Sequence, residues 1–412
     1  MPEPVKNLLL LLVSVTVALL IADGLFRLYE RSALVGNSAI GEDTVDLAAL
    51  NYNDSEAART REPNQYRVLS LGDSFAYTIT KYPYSYHGIA AALLDDRLAE
   101  RTVRIVNLGQ PSISFYQYIE AYRFWGALID HDAVVFNIYL GNDILDVAYA
   151  HVPERVKVQD AFERFHYSLQ TGQIIPARLP RKFPLRMFDY LYAWYHIWRG
   201  DIRAGDDAGT GPYNYSMLNL AEERYYAVLH KQLDNFDPAK LSALAEGYEA
   251  VGAFAAFVSE IRRSGRPVEV MLSPSELQVT PDLQQALAVR FDLDPGRYDY
   301  ELPAWLVQEI FDRVDSRIPV LHLFDAFRCA TDAGADLYYG TDTHWTAEGN
   351  RLAGEVLANA LGKQWFGLEG EASTDPGCAK AGAAPRETVD RHQAFANLWE
   401  RLQPRMGAPD RE

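Results

Sequence analysis

Only two of the 412 residues are cysteine, Cys329 and Cys378, which is too few for a disulfide scaffold and leaves one optional bridge. Their 49-residue separation carries no metal-ligand spacing, and the nine histidines show no His-Glu-x-x-His or related pattern. No metal or other cofactor is therefore expected. Positive charge is also scarce: 39 Lys and Arg stand against 56 Asp and Glu, a formal charge of -17. Such a surface does not neutralise phosphates, so nucleic acid is not an expected partner. Long apolar runs are missing everywhere except the N-terminus, which excludes a polytopic membrane protein. With 48% hydrophobic and 23% charged residues the chain has the composition of a folded protein with a sizeable core.

The one long apolar run follows Lys6. Leu8 to Ala22 is 15 residues, the length of a signal-peptide core, and continuing through Phe26 past the single acid Asp23 gives 19, about enough to cross a bilayer. No small-x-small cleavage site follows, and Leu25, Phe26 and Leu28 prolong the run, so residues 1–28 read as an uncleaved signal anchor, with a cleaved signal peptide or a buried core helix as alternatives. The signal-anchor reading gives a single-pass protein of the cytoplasmic membrane whose body faces the periplasm or the cell exterior, and a signal peptide likewise requires the body to lie outside. Residues 29–66 are polar and aperiodic, as in a linker.

From Arg67 onward, short apolar runs alternate with longer stretches of helical periodicity. The strands predicted are Val68–Leu71, Val103–Leu108, Ala133–Leu140, Val268–Leu272 and Val320–Phe324. Helices are predicted over Tyr86–Glu100, Phe115–Asp130, Ala243–Arg263, Pro303–Val314 and Ala347–Leu361. Strands apolar on both sides, each followed by a helix, predict α/β architecture: a three-layer α/β/α sandwich around a five-stranded parallel sheet, over residues 67–363. Residues 144–240 are too many for one crossover and read as an insertion, with an aromatic run from Phe183 to Trp198 that suits core packing, a ligand-facing lid or a membrane interface. Residues 364–412 read as a loosely attached tail with a short helix around Gln393–Leu402.

Polar clusters sit at the strand ends. Gly72-Asp73-Ser74 ends the first strand, Asn107-Leu108-Gly109 the second and Gly141-Asn142-Asp143 the third, while Asp342-Thr343-His344-Trp345 follows the last and leads into a helix that Thr346 can cap. A serine at such an edge is placed as a nucleophile. A glycine N–H and an asparagine carboxamide are neutral, directional donors suited to an oxyanion, and a carboxylate close to a histidine can fix its tautomer. Asp390 and His392 repeat that spacing, but in the tail. Each cluster alone is a common turn; four of them converging on one sheet edge are not.

Together these motifs resemble the SGNH hydrolase (GDSL esterase) superfamily. The resemblance implies a flavodoxin-like SGNH fold, Ser74 as nucleophile, Ser74, Gly109 and Asn142 as oxyanion donors, His344 as general base and Asp342 as its partner. The Asp-x-His-Trp form departs from the usual Asp-x-x-His and is similar to SGNH-like domains of bacterial exopolysaccharide O-acetylation proteins. The implied activity is hydrolysis of small acyl esters, O-acetyl groups on a surface glycan above all. An O-acyltransferase using the same triad and a catalytically silent glycan-binding or assembly protein are the alternatives.

Overall fold

The five apolar segments pair into one parallel sheet in the computed structural model, which describes residues 2–35, 44–45, 47, 52–54, 57–58, 60–111, 113–149, 185, 188, 212–213, 220–340, 342–369 and 391–403. Strands β1 (Gln65–Gly72), β2 (Thr102–Asn107), β3 (Ala133–Tyr139), β4 (Val268–Ser273) and β5 (Val320–His322) lie in the order β2-β1-β3-β4-β5. The register sets Leu69 of β1 opposite Val106 of β2 and Val134 of β3. Every residue of β3 and β4 is buried, and apart from Asn137, Glu269 and Ser273 their sequences run apolar or aromatic without alternation. The sheet grows outward in both directions from β1, so the crevice at the carboxyl ends of β1 and β3 is its topological switch point.

The described helices are α1 (Glu3–Val35), α2 (Ser74–Tyr77), α3 (Tyr86–Asp95), α4 (Phe115–Leu128), α5 (Asp143–Tyr149), α6 (Glu222–Gln232), α7 (Ala245–Arg263), α8 (Glu276–Val279), α9 (Pro281–Phe291), α10 (Leu302–Asp315), α11 (Phe324–Asp332), α12 (Ala347–Phe366) and α13 (Arg391–Leu402). Alternation along β1 divides the core. Leu69 and Leu71 face a cluster with Trp125 of α4, Phe254 of α7 and Phe311 of α10, whereas Val68 faces Leu94 of α3 and Leu357 and Leu361 of α12. Helices thus cover both sides of the sheet, as the apolar strands predict.

The N-terminal helix forms as α1, and among the described residues no helix is long and apolar enough to cross a membrane. Two expectations change. The segment read as a linker contributes to the core, since Val45 and Leu47 are fully buried and the Tyr52 hydroxyl accepts a 3.0 Å hydrogen bond from Trp125 Nε1. The tail is not loose over α13, which buries Phe395, Leu398 and Leu402 and anchors Arg391 on Asp299 at 2.6 and 2.7 Å. Apolar residues at helical spacing across one face of α13 explain its docking.

Within the insertion, α6 packs Tyr225 and Leu229 against Leu277 and Leu287. The aromatic run lies outside the described residues apart from Leu185 and Phe188. Cys329 is disulfide-bonded, and Cys378 lies outside the described residues.

Candidate active site

The chain leaves β1 through a position that admits only glycine. A Cβ on Gly72 would lie 2.7 Å from both the Ala76 Cβ and the Asn137 carbonyl oxygen. Asp73 then caps α2, its Oδ1 accepting from the Phe75 N–H at 2.9 Å, and Ser74 is the first residue of that one-turn helix. The helix stops at Thr78, whose N–H returns to the Ser74 carbonyl and whose φ of 59° is left-handed. For a β-branched residue this conformation costs on the order of 1–3 kcal/mol, so the surroundings must impose it.

Gly109, just past β2, touches the same turn. A Cβ there would come within 2.1 Å of the Tyr77 nitrogen and 2.3 Å of the Ala76 carbonyl carbon, so only glycine lets the two backbones approach. Its N–H donates to Asn107 Oδ1 at 2.9 Å. Asn142 follows β3, and its amide donates to Asp146 Oδ2 at 2.8 Å. Next to it, Asp143 is fully buried, its Oδ2 accepting from the Tyr118 hydroxyl at 2.7 Å and from the Tyr139 N–H at 3.0 Å. Burial, with the charge of Asp73 next, pushes the Asp143 carboxyl well above the usual range.

The fourth cluster is a backbone-locked loop. Tyr338 and Trp345 form an antiparallel bridge, Tyr339 N–H donates to the His344 carbonyl at 2.8 Å, and Thr346 caps α12 by accepting from the Gly349 N–H at 3.1 Å. Trp345 is buried against Phe327 and Phe75, which fixes the neighbouring histidine. Asp342 Oδ1 lies 2.5 Å from His344 Nδ1. Thr343 between them has a φ of 40°, the sharp turn that lets carboxylate and imidazole meet across one residue rather than two. The His344 ring stacks on Phe75 at 5.0 Å, and Phe75 stacks in turn on Tyr139 at 3.7 Å.

Electrostatics join Asp73 to this pair. Burial pushes the Asp73 carboxyl up to about 6, while the Phe75 N–H and the nearby His344 pull it down. Burial pulls His344 down, but the hydrogen bond and charge of Asp342 and the charge of Asp73 outweigh it, so its pKa is raised.

The structure therefore brings Asp342 and His344 into contact and sets the imidazole against the residue next to Ser74. The Ser74 hydroxyl is directed at Asp73 Oδ2, 3.5 Å away, and among the described residues it has no hydrogen bond to His344. Gly109 and Asn142 stand at the same sheet edge, with the single Gly109 N–H and one of the two Asn142 amide hydrogens engaged inside the protein. The distant pair is not part of the site: His392 packs on Trp305, and Asp390 lies outside the described residues. Sequence reasoning missed Phe75, Tyr139, Asn107 and Asn53. Only Asn107 carried a signal, as a polar residue closing an apolar strand. Among the described residues no group of three His, Cys, Asp or Glu side chains could hold a metal ion.

Residues 242–409 match the family model described as SGNH hydrolase-like domain, acetyltransferase AlgX. That match contains Asp342 and His344; Ser74, Gly109 and Asn142 precede it. No curated protein matches the chain. Similar solved structures include an alpha/beta hydrolase from the metagenome of Lake Arreo, Spain, 11% identical, covering 72% of this chain and 95% of that one, with a TM-score of 0.33. Another is a two-domain esterase active on acetylated mannans, 9% identical, covering 78% of this chain and 53% of that one, with a TM-score of 0.36.

Proposed function

We propose, for a chain that belongs to the SGNH hydrolase superfamily, that it is a serine esterase removing small acyl groups, O-acetyl above all, from a glycan. The observation that carries this reading is the 2.5 Å contact between Asp342 and His344 with the imidazole stacked beside Ser74. Bonding of Nδ1–H to Asp342 leaves Nε2 as the acceptor. Ser74 Oγ, turned from Asp73 toward His344, gives its proton to Nε2 as it attacks the ester carbonyl. The imidazolium then protonates the sugar oxygen as its bond to the acyl carbon breaks, and water, deprotonated by the same nitrogen, attacks the acyl-serine and releases the acid while the proton returns to Ser74. The oxyanion is met by the Ser74 N–H, the free Asn142 amide hydrogen and the Gly109 N–H once Asn107 releases it.

Labelling with a fluorophosphonate probe tests the core of this reading. Wild type reacts and Ser74→Ala does not; a folded wild type that stays unlabelled refutes it. The AlgX-type match at residues 242–409 favours a second reading, O-acetyl transfer, in which a sugar hydroxyl takes the place of water. Mass spectrometry with an acetyl donor and a glycan acceptor separates the two, because release of acetate alone rejects transfer. We place the body outside the cytoplasm at the cytoplasmic membrane, a reading supported by the exposed side chains of Leu10, Leu11, Ile21 and Leu25 on α1. Protease added to intact spheroplasts then degrades the body, and complete protection rejects the placement.

A further inference from the structure

The turn that ends the serine helix is held from outside the sheet. Asn53, 21 residues before Ser74 and only 8% exposed, inserts its amide nitrogen among four acceptors: the Tyr77, Thr78 and Thr80 carbonyls at 2.8, 3.1 and 2.7 Å, and Thr78 Oγ1 at 2.8 Å. These acceptors lie on the turn at Thr78, whose φ is 59°. Asn107 meets the same point, donating to the Tyr77 carbonyl at 3.1 Å and the Asn53 carbonyl at 3.4 Å while its Oδ1 holds the Gly109 N–H. Asp54 completes the brace by accepting from the Asn107 N–H at 3.0 Å and pairing with Arg104.

We infer that Asn53 is a positioning residue for the nucleophile: its carboxamide stabilises the strained turn after α2 and, through Asn107, sets Ser74 relative to Gly109. The inference rests on the esterase reading of the site. The role needs a donor. A carboxylate of the same shape would place negative oxygens against three carbonyls, whereas a residue that merely fills space tolerates that exchange. The position also opens an Asn-x-Ser motif, and its buried, engaged amide is unsuited to carrying a glycan in the folded protein.

Asn53→Ala and Asn53→Asp, compared with wild type, test the role. Each is expected to lower the rate of fluorophosphonate labelling and kcat for p-nitrophenyl acetate by about tenfold or more, with KM within about twofold, and to speed hydrogen exchange over residues 77–81. Asn53→Asp falls at least as far as Asn53→Ala. Labelling within twofold of wild type in either variant, an Asp variant that behaves like wild type, or unchanged exchange over 77–81 overturns the inference. If folded wild type does not label, the esterase reading falls, and exchange alone decides whether Asn53 holds the turn.

Discussion

His344 Nδ1 is met twice by Asp342, by its carboxylate at 2.5 Å and by its own carbonyl at 3.0 Å. Both partners are acceptors, so the proton stays on Nδ1 and Nε2 is left as the acceptor. Replacing Asp342 by Asn removes the charge and allows the opposite tautomer. Loss of about 10⁴ in kcat is expected for Asp342→Asn, with the fold retained. Full activity in that variant would remove Asp342 from the mechanism.

The pH dependence follows from the raised pKa of His344, since a general base must be neutral. kcat/KM rises with pH through a point above 6.5, the ordinary value for histidine. Because the folded value is raised, protonated His344 contributes stability that is fully present below that ordinary value and lost as pH rises through the folded one. Asp73→Asn, which removes a nearby negative charge, should move the acid limb to lower pH. A limb that stays in place in a pH-rate profile would separate Asp73 from the histidine.

Phe75 supports His344 on one face and Tyr139 on the other. Phe75→Leu keeps apolar volume but loses the flat surface. It should cost about 1–3 kcal/mol of stability by denaturant titration and reduce kcat by about tenfold at unchanged KM. A variant that unfolds more easily but labels at the wild-type rate would limit Phe75 to packing.

Gly109→Ala is expected to be far worse than its size suggests. The new methyl would meet backbone, not a side chain that can swing aside, so β2 and α2 must separate. A loss of about 1–3 kcal/mol in stability, and of activity by about a hundredfold, is expected. Wild-type activity would show that the contact yields without cost.

Glu269 sits on β4 with no exposed surface, and burial pushes its carboxyl up to about 8. A carboxyl raised in the folded state costs nothing below its unfolded value and destabilises progressively as pH climbs toward the folded one. Glu269→Gln should therefore flatten the fall in stability between about pH 5 and 8, measured by thermal melting at several pH values. Parallel wild-type and variant curves would show that Glu269 is ionised throughout.

Much of this was readable from the residues because the physics was local. Doubly buried strands advertise themselves as apolar runs, and Gly-Asp-Ser or Asp-x-His at a strand end brings the chemistry close together in sequence. Tyr52, Asn53 and Asp54 were not readable: they lie in a polar, aperiodic segment, and their roles arise from carbonyls and side chains that only the tertiary structure brings to them. The packing of α13 was missed because its three buried residues, Phe395, Leu398 and Leu402, are a weak pattern after a preceding stretch rich in Gly, Ala and Pro. The engagement of Gly109 by Asn107 depends on side-chain geometry that spacing does not carry.

The packing of α12 on α3 has a consequence for synthesis. Asn350 Oδ1 accepts from the Tyr86 N–H at 3.2 Å, and a methyl on Gly354 would strike Ile89, so these two helices fit closely across more than 260 residues of chain. His344 follows Ser74 by 270 residues, after all five strands. A nascent chain extended through residue 330 has all five strands and Ser74 but lacks Asp342 and His344. On the proposed reading the site is then completed late in translation, when α12 packs onto α3 and the loop bearing Asp342 and His344 joins the sheet edge that holds Ser74.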